Sequence, residues 1–315
     1  MIKKRILNMN PMVLVVGSSN TDMVIKADHL PAAGETILGG TFFMNPGGKG
    51  ANQAVAAARL GGNVTFICKT GNDIFGRQSV QLFEDEGINT SYLLSDSKNP
   101  SGVALITVDK DAENCIVVAS GANAALNAGD LQKAQAVIEQ AAIVLMQLEI
   151  PLETVQYVAS TAAEKSVKVV LNPAPACELP DDLLRKISII TPNKTEAEML
   201  SGVQVNDMES AKKAARIICD KGVKTVIITL GQNGALVLHE DEFTHVPAVK
   251  VEAVDTTAAG DVFNGALVVA LSQNKSMLEA VAFACNASAI SVTRLGAQSS
   301  APYKRELDTF ISIEK

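Results

Sequence analysis

From Leu131 onward the apolar residues switch back and forth between a helical period and short continuous runs, and few folds accept that pattern. Leu131–Ala141, Leu152–Glu164, Asp182–Lys186, Glu196–Leu200 and Ser210–Lys221 read as helices. Ile143–Leu148, Val167–Leu171, Ser188–Ile190 and Thr225–Thr229 read as strands. Strands alternating with helices require right-handed crossovers, hence a mostly parallel sheet with helices on both faces. Met12–Gly17 is apolar throughout, as a strand buried on both faces must be. Helix Lys49–Leu60, strand Val64–Cys68 and helix Ile74–Glu86 continue the alternation. A β pair, Ala235–His239 and Glu242–Pro247, precedes two closing helices, Asp261–Ser272 and Met277–Arg294. The class expected is α/β, with a central, mostly parallel sheet.

Two segments do not fit that sheet. Met23–Ala27, Thr36–Leu38 and Thr41–Met44 are short and β-leaning, interrupted by Pro31, Gly34, Gly39 and Gly40. Val103–Val108 and Cys115–Ala119 flank the polar Asp109–Asn114 as a hairpin does. Together they are expected to form a small second β layer.

The composition narrows the partners. With 315 residues, 47% hydrophobic and 19% charged, the chain can bury a large core. A net charge of −7 argues against nucleic acid or an anionic membrane surface. No apolar run is long enough to span a bilayer. The basic start, Met1-Ile2-Lys3-Lys4-Arg5, lacks the apolar region of a signal peptide and reads as a short tail. The five cysteines are scattered without a C-x-x-C pair, so cytoplasmic thiols are the simplest account. His29, His239 and His245 have no metal-ligand spacing.

Chemistry enters at Val254–Gly265. Small residues lead to Asp261, and Val262, Phe263, Ala266, Leu267 and Ala270 then recur at helical spacing. Unpaired backbone N–H groups at such a helix start favour an anion, and small side chains let it approach. A carboxylate beside that hole suits phosphoryl transfer, as acceptor of the attacking hydroxyl's proton. A first-turn aspartate also serves simply as a cap. The helix dipole is expected to lower its pKa.

A second segment, Pro46-Gly47-Gly48-Lys49-Gly50-Ala51-Asn52, opens a helix with a lysine, which opposes the helix dipole. That placement implies an anionic or polar neighbour for Lys49, or a lysine turned to solvent. The segment is neither a P-loop nor G-x-G-x-x-G. Asn20, Asp22, Glu149, Asn193 and Thr229-Leu230-Gly231 follow predicted strands. They therefore gather at the carboxyl ends of the sheet, where ligands bind in this class, or they serve as turns and caps.

In order and separation, Gly47-Gly48-Lys49-Gly50-Ala51-Asn52-Gln53-Ala54 and Asp255-Thr256-Thr257-Ala258-Ala259-Gly260-Asp261 resemble the two signatures of the ribokinase family of carbohydrate kinases. Asn20-Thr21-Asp22, Leu171-Asn172-Pro173-Ala174-Pro175, Thr191–Glu196 and Thr229-Leu230-Gly231 extend the resemblance over nearly the whole chain. Many members carry glycine at the position of Ala258.

The resemblance implies ATP-dependent phosphorylation of D-ribose at its 5-hydroxyl. Asp261 would be the base, with Ala258, Ala259 and Gly260 forming the anion hole. Asn20, Asp22, Gly48, Lys49, Asn52 and Glu149 would hold the sugar. Asn193, Thr229, Gly231, Gly234, Gly260, Cys285 and Asn286 would meet nucleotide, and Glu196 would act through Mg²⁺ and water. Asp255, Thr257, Ser291, Arg294, Gly296 and Ser300 would surround a monovalent cation, K⁺ expected and Na⁺ possible, mostly through carbonyl oxygens. It also implies a division into a kinase body (12–22, 45–101 and 120–315), a β lid that pairs with its copy in a homodimer (23–44 and 102–119), and a tail (1–11).

Four rival functions are weighed against it. A nucleoside kinase should stack a base on aromatic rings, yet aromatics are 4% of the chain and Phe42-Phe43 are the only ones in the first lid segment. A sugar-phosphate kinase needs extra basic residues near the sugar. A non-catalytic sugar-binding regulator on the same fold would not need an intact Asp261 loop. A dinucleotide dehydrogenase lacks its glycine fingerprint here.

Overall fold

The computed structural model describes residues 11–111 and 113–313. Apart from Pro11, the N-terminal tail lies outside the described residues. Eight strands form the main sheet, in the order Glu242–Val246, Ala235–His239, Thr225–Thr229, Ile189–Ile190, Lys168–Leu171, Ile143–Met146, Met12–Val16, Asn63–Ile67. The last six run parallel, and the first two add an antiparallel edge. Met12–Val16 sits between Ile143–Met146 and Asn63–Ile67, and its inner residues are wholly buried. That burial is why the strand reads as an unbroken apolar run.

Two apolar layers flank the sheet, one on each face. One gathers Val13, Val15 and Phe66 with the helices Lys49–Arg59, Ala259–Ser272 and Met277–Ser291. The other gathers Leu14, Val16 and Met146 with Leu152–Glu164 and Met208–Asp220. Alternate residues of one strand thus feed opposite cores, as the pleat demands. Lys49–Arg59 and Ala259–Ser272 approach closely because Gly265 has no side chain. A Cβ there would lie 2.8 Å from the Ala56 Cβ.

The small β layer forms, but with different edges. Its four strands run in the order Thr41–Gly47, Asn20–Lys26, Gly102–Val108, Asn114–Ala119. The first and last pairs are antiparallel and the middle pair parallel. Asn20 and Asp22 therefore ride on a strand of this sheet rather than on the body. Thr36–Leu38 is not a strand; the stretch from Ala27 to Gly40 carries none, and Gly34, Gly39 and Gly40 all have positive φ there.

Three further readings are corrected. Leu131–Ala141 is not one helix but Ala128–Leu131, a 3₁₀ turn and Gln135–Gln140. A closing helix, Lys304–Ile313, follows the two expected. A two-stranded pair, Lys69–Gly71 with Leu94–Asp96, was not foreseen.

Candidate active site

The polar residues singled out do converge. They sit past the carboxyl ends of Met12–Val16, Ile143–Met146, Ile189–Ile190 and Thr225–Thr229, and at two helix starts. At the Lys49 helix, Gly48 adopts φ 87° with no side-chain cap. Its missing Cβ would fall 2.7 Å from the Asn20 backbone nitrogen, so only glycine lets the two loops meet. Ala51 N–H then donates to the Ser18 carbonyl at 2.8 Å, and Lys49 N–H to Glu149 Oε2 at 2.9 Å. The latter carboxylate also accepts from the Ser18 hydroxyl.

Ala258 occupies the left-handed region, φ 59° and ψ 12°, at the N-cap of the Asp261 helix. An alanine there costs about 1–2 kcal/mol relative to glycine. At the start of this helix Ala259 N–H donates to the Thr256 carbonyl at 3.2 Å, and the helix start borders a cleft. That cleft has a volume of about 880 Å³, and Ala259, Gly260, Thr229, Gly231, Gly234 and Cys285 line it. Asn286 is not among its lining residues; it lies next to Cys285 on a helix whose period turns it aside. The loop Ala248–Val251 and Ser288 also line the cleft and were missed. That loop has no periodicity, so no sequence signal marks it.

Asp261 is 6% exposed. Its Oδ2 accepts from Asn52 Nδ2 and its Oδ1 from Gln53 Nε2, both at 2.9 Å. Burial pushes its pKa up, opposed by Lys49 and by the Asn52 and Gln53 donors, with Glu149 adding to the rise. The direction is thus opposite to the downward shift expected from the helix dipole, with burial the largest cause. A raised pKa makes Asp261 a better proton acceptor than a capping aspartate.

Lys49 answers the question of its neighbour. Burial alone would lower its pKa, but Asp261, Glu149, Glu196 and Asp22 together hold it above the usual lysine value. It is a cation among four carboxylates, not a solvated lysine. Asn20 is held by Asn123, whose Nδ2 donates to Asn20 Oδ1 at 2.7 Å and whose Oδ1 accepts from Ser19 N–H at 2.9 Å. Asn20's own amide hydrogens thereby stay available.

Asp22 is raised to about 6 by burial first, then by Glu149 and Asp261, with Lys49 opposing. Between the ordinary aspartate pKa and about 6, the folded protein binds a proton that the unfolded chain has lost. The Asp22 contribution to stability therefore falls as pH rises through that window. If the ionised form accepts sugar hydroxyls, sugar affinity should instead rise with pH through about 6 and level off above it. Titration calorimetry from pH 5 to 8 should show this rise, and Asp22→Asn should flatten it; an equally steep profile in that variant would assign the rise to another group.

Asn193 and Glu196 are engaged with each other. Glu196 N–H donates to Asn193 Oδ1 at 2.9 Å, and the carboxylate accepts from Asn193 N–H and Nδ2 at 2.8 and 3.0 Å. Burial raises the Glu196 pKa, opposed by the Asn193 N–H and Lys49. In the third cluster, Asp255 accepts from Thr257 N–H and Gly296 N–H at 2.9 and 2.8 Å, tying two loops together. The Arg294 guanidinium is taken by Glu306 at 2.8 Å, leaving its backbone alone for this cluster. The Ser291 and Ser300 hydroxyls each donate to a carbonyl three residues earlier.

A doubly wound sheet carrying a buried carboxylate at an open helix start, opposite a cluster of short polar side chains, defines a phosphotransferase for a small hydroxylated acceptor. Comparison with known proteins narrows that class. Residues 10–304 match the model of the pfkB family carbohydrate kinases. A ribokinase of Haemophilus influenzae is 48% identical over 303 residues, 96% of this chain and 99% of that protein. A deoxyribokinase of Salmonella typhi is 37% identical, covering 96% of this chain and 99% of that one. The structure of Arabidopsis thaliana ribokinase complexed with ribose and ATP superposes with a TM-score of 0.91 at 32% identity, over 96% of this chain and 99% of that one. The chain belongs to the pfkB family of carbohydrate kinases.

Proposed function

We propose that the protein phosphorylates D-ribose at its 5-hydroxyl with ATP, giving ribose 5-phosphate and ADP. The observation that carries this reading is the Asp261 carboxylate, buried, desolvated and paired with Asn52 at a helix start without a side-chain cap. It accepts the hydroxyl proton, and the amides of residues 258–261 receive the charge of the transferred group. Asn20, Asp22, Lys49, Asn52 and Glu149 are short or charged hydrogen-bonding groups, matched to a sugar with several hydroxyls and little apolar surface. The ribokinases among its relatives support the substrate.

The cleft lined by Thr229, Gly231, Gly234 and Cys285 is the proposed nucleotide site. Among the described residues no group of three or more His, Cys, Asp or Glu side chains could cage a metal. That fits a Mg²⁺ that arrives on the nucleotide phosphates and meets one carboxylate, Glu196, through water. Bound there, it would neutralise charge on the phosphates. The loops joined by Asp255, with Thr257, Ser291, Arg294, Gly296 and Ser300, offer backbone oxygens fitted to a monovalent cation, K⁺ before Na⁺.

The small sheet, residues 23–44 and 102–119 with its strands reaching back to Asn20 and Gly47, is proposed as a lid on the body of 12–22, 45–101 and 120–315. The strand register puts Ile25, Phe42, Met44, Leu105 and Val117 on the face opposite Asp22. All five are exposed. So large an apolar face supports pairing with a second copy. Leu105→Asp should then convert a dimer to a monomer in sedimentation equilibrium; a wild-type monomer at micromolar concentration would remove the homodimer from the reading. Among the described residues no helix is long and apolar enough to cross a membrane. The five unpaired cysteines support a reducing, cytoplasmic setting.

The test is ADP release with MgATP, comparing ribose, 2-deoxyribose, adenosine and fructose 6-phosphate, with and without K⁺. Strong ribose-dependent turnover raised by K⁺ is expected. Preference for 2-deoxyribose would keep the mechanism and move the substrate, as the deoxyribokinase relative makes concrete. No turnover with any acceptor would sink the kinase reading.

A further inference from the structure

Behind the candidate base lies a row of polar groups that reaches no solvent. Gln53 and Gln147 are both 0% exposed. Gln53 Nε2 donates to Asp261 Oδ1 at 2.9 Å and to Asn172 Oδ1 at 3.0 Å. Its Oε1 accepts from Gln147 Nε2 at 2.5 Å. Gln147 follows the strand Ile143–Met146 and fills the space beside Gly17, where a Cβ would fall 2.2 Å from Gln147 Oε1. That oxygen has no hydrogen-bond partner.

The chain of amides has one allowed direction. Asp261 Oδ1 and Asn172 Oδ1 both accept from the Gln53 amino group, and Asn172 is itself held, its Nδ2 donating to the Thr191 carbonyl at 3.4 Å. Gln53 must therefore turn its Oε1 to Gln147, which donates to it. Turned over, it would set an oxygen against the carboxylate and against Asn172 Oδ1. Asn52, the other donor on Asp261, has its own Oδ1 buried and unpartnered.

We propose that Gln53, held by Asn172 and contacted by Gln147, is a positioning residue for phosphoryl transfer: it fixes the Asp261 carboxylate, through one oxygen, in the orientation that meets the acceptor hydroxyl. The proposal rests on Asp261 as the base. Neither glutamine is charged, so removing one leaves Lys49, Glu149, Asp22 and Glu196, the charged groups coupled to Asp261, unaltered. Loss of the Gln53 donor should nonetheless push the carboxyl further in the direction burial already drives it.

Gln53→Met and Gln147→Met keep the volume and delete the amides. Gln53→Met should lower kcat about 10–100-fold with sugar KM within about threefold. The acid limb of its kcat/KM profile should move up by about one pH unit. Gln147→Met should move both in the same direction by less. A ¹³C NMR titration of the Asp261 carboxyl, without sugar or ATP, reads the same shift and needs no turnover. A kinase that is inactive in wild-type form would defeat the functional reading, while that titration still decides the coupling. An unmoved carboxyl titration in Gln53→Met overturns the proposal even if kcat falls, since the loss is then packing. An unchanged kcat also overturns it. If Gln53→Met does not fold, the same criteria apply to Gln147→Met.

Discussion

Asp261→Asn should lower turnover on the order of 10²–10⁴-fold and leave ribose affinity within a few-fold of wild type. The substitution removes the proton acceptor and keeps the shape. It also keeps the hydrogen bonds, for a reason visible in the structure. Both carboxylate oxygens now face amide donors, so an asparagine amino group would meet one of them. Gln53 cannot turn, but Asn52 can, because its buried Oδ1 has no partner and would accept from the new amino group. The variant should therefore fold and bind sugar. Steady-state kinetics with a parallel ribose titration would check it. Near-normal turnover would remove Asp261 as the base.

Lys49→Met should lower kcat/KM by about 10²–10³-fold and shift its acid limb to higher pH. Lys49 is the cation that offsets Asp261, Glu149, Glu196 and Asp22. Without it, each carboxylate faces its neighbours unscreened, and Asp261 and Asp22 bind protons more tightly. For Asp261 and Asp22 the sign is upward, because Lys49 now holds both down. Activity should consequently recover in part at alkaline pH. A variant with the wild-type pH profile and only a weaker KM would make Lys49 a sugar ligand and nothing more.

Much of this site is legible in the chain because its signals are local. The small-residue run before Asp261 marks a helix start, and the helix begins at Ala259. The oddity of a lysine opening a helix points to carboxylates nearby, and four are there. The small β layer was recognisable from β-leaning segments broken by glycine and proline. Its edges were not, because Asn20 and Gly47 lie in stretches with no strand period of their own and become strand by pairing with each other and, for Asn20, with Gly102. Leu131–Ala141 has the helical period and still breaks at the 3₁₀ turn Gln132–Ala134, with Leu131, Ala134 and Ile138 all buried.

The sequence by itself determined the parallel sheet, the end of it where the polar residues gather, and the two helix starts that border the candidate site. Each of those follows from spacing within a few turns of chain. Only the tertiary structure decided the state of Asp261. The donor to its Oδ1 lies 208 residues away, and burial, the largest cause of its raised pKa, depends on elements distant in the chain. Desolvation and buried polar pairing depend on what surrounds a group in space, and neither leaves a period in the sequence.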